Sequence, residues 1–123
     1  FDWNRTDKDG NTRELHTELA LDAIDFAKRD NHKVVYTTDT NQRNLMVDSP
    51  YFKTEIIVVD GEMNIQTVQL DSFVVLMAAQ GDSQISVDGT TYALPFGSTV
   101  LLPACLTGFT IKSNQSEVLM VTM

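Results

Sequence analysis

From residue 33 onward the chain changes from helical spacing to short β-branched and aromatic runs separated by turn formers, and this alternation constrains its fold more than any other feature. Lys33 to Thr38 opens the series, Asn44 to Asp48 follows, and Ser49-Pro50 interrupts it. The run Phe52 to Val59 stops at Asp60-Gly61, which reads as a hairpin turn. Ile65 to Leu70 and Phe73 to Ala79 come next. Ile85 and Val87 alternate with Ser86 and Asp88, as in a half-buried strand, and Asp88-Gly89 signals a second hairpin back into Thr90 to Leu94. Pro95 and Gly97 break the pattern before Thr99 to Leu102, Phe109 to Lys112 and Val118 to Thr122. About eight to ten short strands at roughly 8–12-residue spacing imply an antiparallel sandwich or barrel. No repeat of 20–50 residues is present.

One helix precedes the strands. Over residues 12–29, Leu15, Leu19, Ala23, Phe26 and Ala27 recur at helical spacing, widened by Leu21 and Ile24. Asn11 and Glu14 fit a capping box, and Lys28 and Arg29 close the last turn where the helix dipole favours cations. Two parts follow: residues 1–32, a loop and helix, and residues 33–123, the β domain. The chain opens on Phe1 and Trp3 around Asp2, an aromatic start that leads us to expect residues upstream.

Seventeen acidic residues against nine Lys and Arg give a formal charge of −8, which opposes nucleic-acid backbones and anionic membrane surfaces. The densest basic stretch, residues 28–33, contains Asp30. No apolar run approaches the roughly 18 residues of a membrane span, and no secretion signal opens the chain. The single Cys105 cannot form an internal disulfide, so a reducing cytoplasm is the expected compartment.

The residues that could carry chemistry are few. Metal sites need three or more converging ligands, yet only His16 and His32 exist, and the region 33–123 has no histidine. His16 reads as a helix residue and His32 as a loop residue, and no metal site is expected in this chain. Cys105 lies in the apolar Pro103-Ala104-Cys105-Leu106, where a small buried hydrophobe is the simpler reading than a nucleophile. Met77, Met120 and Met123 read as core. No nucleophile elbow, phosphate loop or dinucleotide fingerprint occurs, and no catalytic residue is assigned.

The stretch Phe1-Asp2-Trp3-Asn4-Arg5, Thr6-Asp7-Lys8-Asp9-Gly10, Asn11-Thr12-Arg13-Glu14-Leu15-His16 and then Ala20-Leu21-Asp22-Ala23-Ile24 resembles the segment after the metal site in short bacterial type I mannose-6-phosphate isomerases. Ser49-Pro50-Tyr51-Phe52 resembles that family's entry to its C-terminal β domain. The resemblance implies a cupin-like jelly roll, or double-stranded β-helix, with one N-terminal helix. It implies that residues 1–32 link to a missing catalytic domain and that 33–123 is the C-terminal cupin-like domain packed on it. The full-length enzyme of such a family interconverts mannose 6-phosphate and fructose 6-phosphate with a bound zinc. The metal ligands and catalytic arginine of that family lie upstream of residue 1 here, so no zinc is expected in this chain. Arg13, whose place resembles a basic residue near the hexose phosphate, and secondly Arg5 are the substrate-binding candidates. An exposed cation of the loop or helix start is the other reading of both. Gly97 to Pro103 resembles the second cupin motif, but Ala104 to Gly108 lacks its histidine ligand. A non-catalytic sugar-binding or regulatory cupin is the alternative function.

Overall fold

The computed structural model describes residues 5–12, 15–27 and 33–123. Two compact units divide the chain, Phe1–His32 and Lys33–Met123.

In the first unit the described helix is shorter than its spacing implies. It is α1, Thr17–Ala23, with His16 at the N-cap and no side-chain cap. Asn11 is not the cap: its backbone N–H and its side-chain amide both donate to the Asp7 carboxylate, at 2.9 and 3.3 Å. That local bond competes with helix formation. At the other end Ile24 is extended, and the Asp25 carboxylate accepts the Ala27 N–H at 2.9 Å, which turns the chain out of the helix. The apolar stripe Leu15, Leu19, Leu21, Ile24 and Phe26 is exposed, and α1 buries none of its residues. The expected capping Glu14 and the closing Lys28 and Arg29 lie outside the described residues.

The second unit holds seven strands: β1 Arg43–Asp48, β2 Lys53–Gln66, β3 Val74–Gln80, β4 Ser83–Val87, β5 Thr90–Leu94, β6 Thr99–Leu102 and β7 Gly108–Thr122. β2 and β7, of 14 and 15 residues, pair antiparallel along their whole length. They are long enough to run through both layers of a barrel. One half of this pair extends into the order β1-β2-β7-β3-β6. The other half carries β4 on β7 and β5 on β4. Inward residues of both layers, among them Ile57, Leu76, Ile85, Leu94, Ile111 and Met120, form one core of fully buried side chains.

One expected turn and one expected strand come out differently. Asp60-Gly61 is not a hairpin. β2 continues through it, with a register shift against β7 and Gly61 at φ +87. The side chain of Asn41 supplies what a neighbouring strand would: it accepts the Asp60 N–H at 3.0 Å and donates to the Asp60 carbonyl at 2.7 Å. This merges two expected strands into one, as β7 merges Phe109–Lys112 with Val118–Thr122. Asp88-Gly89 does form the β4–β5 hairpin, with positive φ at both residues as a primed turn requires. Ser49-Pro50-Tyr51-Phe52 is the β1–β2 turn, where the Ser49 hydroxyl accepts the Tyr51 and Phe52 N–H groups and donates to the Phe52 carbonyl.

Lys33 to Thr38 is not a strand, although its composition suits one. Its Thr37 hydroxyl and the Asp39 that follows are held by Asn44, a buried residue of β1. The Asn44 side-chain oxygen accepts from the Thr37 hydroxyl at 2.7 Å and the Asp39 N–H at 3.0 Å, and its amide donates to the carbonyls of Asp39, Gln42 and Ile56. Asn44→Ala strands those groups, and we expect the β unit to lose about 1–3 kcal/mol in urea unfolding, with faster exchange of the Asp39 amide. An unchanged midpoint would show that Asn44 does not hold the entry segment.

Candidate functional site

Each layer of the barrel presents one face inward, so the centre is where a ligand or metal would be held. That centre is aliphatic. Ile57, Val59, Leu76, Ile85, Ile111, Val118 and Met120 are fully buried there and bring no donor atoms. The loops at residues 67–72 and 103–107 approach one another: the Thr67 N–H donates to the Thr107 carbonyl at 3.0 Å and its hydroxyl donates to the Leu106 carbonyl. Leu70 and Leu106, one from each loop, then pack against the core. Gly108, the last residue of the stretch after Pro103 that lacks the motif's histidine, sits so close to β2 that an added Cβ would lie 2.8 Å from the Ile65 carbonyl oxygen. No side chain fits there in this register. Among the described residues no three His, Cys, Asp or Glu side chains group as a metal site would require, and this donor set does not suit zinc.

The barrel opens between the edge strands β5 and β6. Here a cleft of about 270 Å³ is lined by Ile85, Val87, Tyr92, Val100, Leu102 and Leu106. The Tyr92 hydroxyl is the polar group of that lining, and no cation lies in it, so it suits an apolar group better than a sugar phosphate. A second, polar cleft of about 380 Å³ lies where β4, β5 and β7 adjoin, and its lining includes Asp82, Gln84, Lys112 and Asn114. Asp82 is engaged there: its carboxylate accepts the Phe96 N–H at 2.8 Å and its carbonyl accepts the Ser113 hydroxyl at 2.8 Å.

One ionic group has no signature in the linear pattern. Glu55, on β2, is the buried carboxylate among the described residues. Arg43 of the facing β1 directs both Nε and Nη2 at its Oε2, and Lys53 stands 3.6 Å from Oε1. The signal was spatial: Arg43 and Glu55 lie twelve residues apart and meet only because β1 folds back on β2. Arg43 takes the Glu55 carboxylate through two N–H groups across the β1–β2 pair, so the group ties the edge strand to β2.

The architecture and the sequence point the same way. The family model described as the cupin domain of mannose-6-phosphate isomerase matches residues 41–122. The chain belongs to this family. It is 29% identical over 118 residues to the mannose-6-phosphate isomerase of Streptococcus mutans, a match spanning 95% of this chain and 35% of that protein. The crystal structure of the mannose 6-phosphate isomerase from Bacillus subtilis shares the fold, with a TM-score of 0.70 at 24% identity over 100% of this chain and 39% of that one. A cupin-2 domain protein from Shewanella frigidimarina shares it at a TM-score of 0.58 and 13% identity, covering 69% of this chain and 82% of that one. The expected mostly β, cupin-like fold is borne out, and the chain spans about a third of the curated isomerase it matches.

In this mannose-6-phosphate isomerase cupin domain and its leading segment, the described residues among those singled out from sequence are mostly exposed. Arg5 is exposed, just before the loop closed by the Thr6–Thr12 bridge. Beside it the Asp7 carboxyl is held below its ordinary value of 3.8, chiefly by the Asn11 backbone N–H. Arg13 and His32 lie outside the described residues. His16 is exposed at the helix start. Cys105 is exposed in the β6–β7 loop rather than buried, because Leu106 takes the inward position. Of the three methionines expected in the core, Met120 is fully buried, Met77 is half-buried on the outward face of β3, and Met123 is 74% exposed beyond the end of β7. No described helix is long and apolar enough to cross a membrane.

Proposed function

We propose that this chain is the C-terminal cupin portion of a mannose-6-phosphate isomerase, with a structural and substrate-shaping role and without the metal site. The full-length enzyme would interconvert mannose 6-phosphate and fructose 6-phosphate in the cytoplasm, using zinc and acid–base groups carried on its N-terminal catalytic domain. The observation that supports this most is the combination of the family match with an aliphatic barrel centre. Proton transfer between adjacent sugar carbons needs a positioned base within hydrogen-bond reach. The buried interior supplies Glu55 alone, and Arg43 holds that carboxylate. Arg5 and Arg13 are the residues of this chain that would reach the hexose phosphate, from the segment that leads in from the catalytic domain.

The polar cleft around Lys112 and Gln84 favours one other reading, a non-catalytic sugar-binding cupin. One pair of measurements separates the two. Assayed alone with added zinc, the chain should give no isomerase turnover, and calorimetric titration with mannose 6-phosphate should give no micromolar binding. Turnover would overturn the missing active site. Micromolar binding that Lys112→Ala abolishes would favour the sugar-binding reading instead.

A further inference from the structure

Charged residues make up 21% of the chain, yet none lies between Asp88 and Lys112. That neutral stretch builds β5, β6 and the start of β7. Among the described residues β5 pairs with β4 alone, so its other edge is free. Sheet edges open to water are ordinarily guarded against pairing with another chain by charges, proline or shortness. β1 carries Arg43 and Asp48, and β6 has only four residues. β5 has no such guard. It reads Thr90-Thr91-Tyr92-Ala93-Leu94, its first four residues are exposed, and threonine and tyrosine favour strands.

The β4–β5 hairpin fixes which backbone groups of that edge are unpaired. Its two-residue turn, Asp88-Gly89, makes Val87 and Thr90 the closing hydrogen-bonded pair. Alternation then turns the N–H and C=O groups of Thr90, Tyr92 and Leu94 to β4, and those of Thr91 and Ala93 to the free edge. Two free residues, one on each side of Tyr92, are complementary to a second copy of themselves. Thr91 and Ala93 of each copy can donate to the carbonyls of Ala93 and Thr91 of the other, four hydrogen bonds in all, with Tyr92 opposite Tyr92 on the two-fold axis. That register seats an aromatic pair where cross-strand side chains approach most closely. Tyr92 lies across from the buried Ile85, and its ring, 56% exposed, walls the cleft between β5 and β6. Neutrality matters as much as shape, because two copies of formal charge −8 repel wherever their charged surfaces meet. We infer that β5 is a self-association edge, at which two copies of this chain join antiparallel about Tyr92 into one continuous sheet. A contact about 17 Å long and one strand deep covers less than the roughly 800 Å² per partner of a stable dimer, so the pair forms reversibly and at high concentration.

Sedimentation equilibrium and disulfide trapping test it. The mass of the chain should rise from one copy towards two between about 10 μM and about 1 mM, the range of a weak contact. It should rise further with salt, which screens the mutual repulsion. Ala93→Pro removes an N–H that β4 does not use, so the hairpin is kept while two of the roughly four bonds between copies are lost, and association should weaken at least about tenfold. In a Cys105→Ser background, Tyr92→Cys should oxidise to a linked dimer in a glutathione buffer at least about tenfold faster than Thr90→Cys, since only residue 92 meets its own copy at bonding distance. A chain that stays single at about 1 mM overturns the inference. So does a dimer that salt dissolves, or one that Ala93→Pro leaves intact, since another surface then holds it. Should the proline variant fail to fold, the ratio of the two cysteine rates decides alone, and equal rates overturn the inference. A dimer that is lost in a longer polypeptide containing this chain overturns it too, because β5 is then covered by the rest of that polypeptide.

Discussion

Gly81→Ala should destabilise the β unit by about 2–5 kcal/mol and lower its thermal midpoint by more than about 10 °C. Two independent effects add at this position. Gly81 joins β3 to β4 at φ +68, where an L side chain meets its own backbone. A Cβ there would also lie 2.5 Å from the Gln115 carbonyl oxygen and 3.3 Å from the Ser116 backbone. The obstructing atoms are main chain, so the strain has to move β7 itself. The neighbourhood resists that movement: the Ser113 hydroxyl donates to the Asp82 carbonyl, and the buried hydroxyls of Ser83 and Ser116 pair at 2.7 Å. Gly89→Ala separates the two effects. Gly89 has a similar φ of +78 with nothing within 4 Å of the added carbon, so it carries the conformational cost alone, about 1–2 kcal/mol. Calorimetric scans of both variants decide it. An equal fall in the two midpoints would show that the contact with Gln115 contributes nothing.

Much of the β domain could be read in the chain because its punctuation is local. Asp88-Gly89 carries its own turn chemistry, and Ser49-Pro50 closes the β1–β2 turn through the Ser49 hydroxyl. The errors arose where a distant residue overrode a local signal. Asp60-Gly61 has the composition of a hairpin, but Asn41, nineteen residues earlier, occupies its backbone groups and keeps β2 running. Lys33 to Thr38 has strand composition, yet Asn44 holds the Thr37 hydroxyl and the Asp39 backbone at its end. The helix was overextended because Asp7 and Asp25 each bind backbone N–H groups that a longer helix would need free or would use itself. The partnership of Arg43 with Glu55 depends on strand register, which no short window contains.

Gly108→His puts a histidine into the stretch after Pro103 that lacks the motif's ligand, and it should not create a metal site. Gly108 starts β7 opposite Gln66, with the Ile65 carbonyl 2.8 Å from where a Cβ would stand. That oxygen belongs to the long β2–β7 pair, which fixes both layers of the barrel, so relief of the clash must loosen the first pairs of that ladder. A loss of about 1–3 kcal/mol is expected from the Cβ alone, and Gly108→Ala should show it without an imidazole. The ring also has too few companions: the Gln66 side-chain amide, its oxygen 3.4 Å from where a Cβ would stand, is the polar side chain beside it, and an imidazole with one amide oxygen falls short of the three ligands that zinc needs. A ligand that binds the folded state tightly raises its stability, by about 2.7 kcal/mol at a hundredfold excess over Kd. Zinc at such an excess should therefore leave the unfolding midpoint of Gly108→His where it leaves that of Gly108→Ala. A zinc-dependent rise of several degrees in the histidine variant alone would mean that the barrel keeps a usable donor set, and that its aliphatic centre is no barrier to the metal.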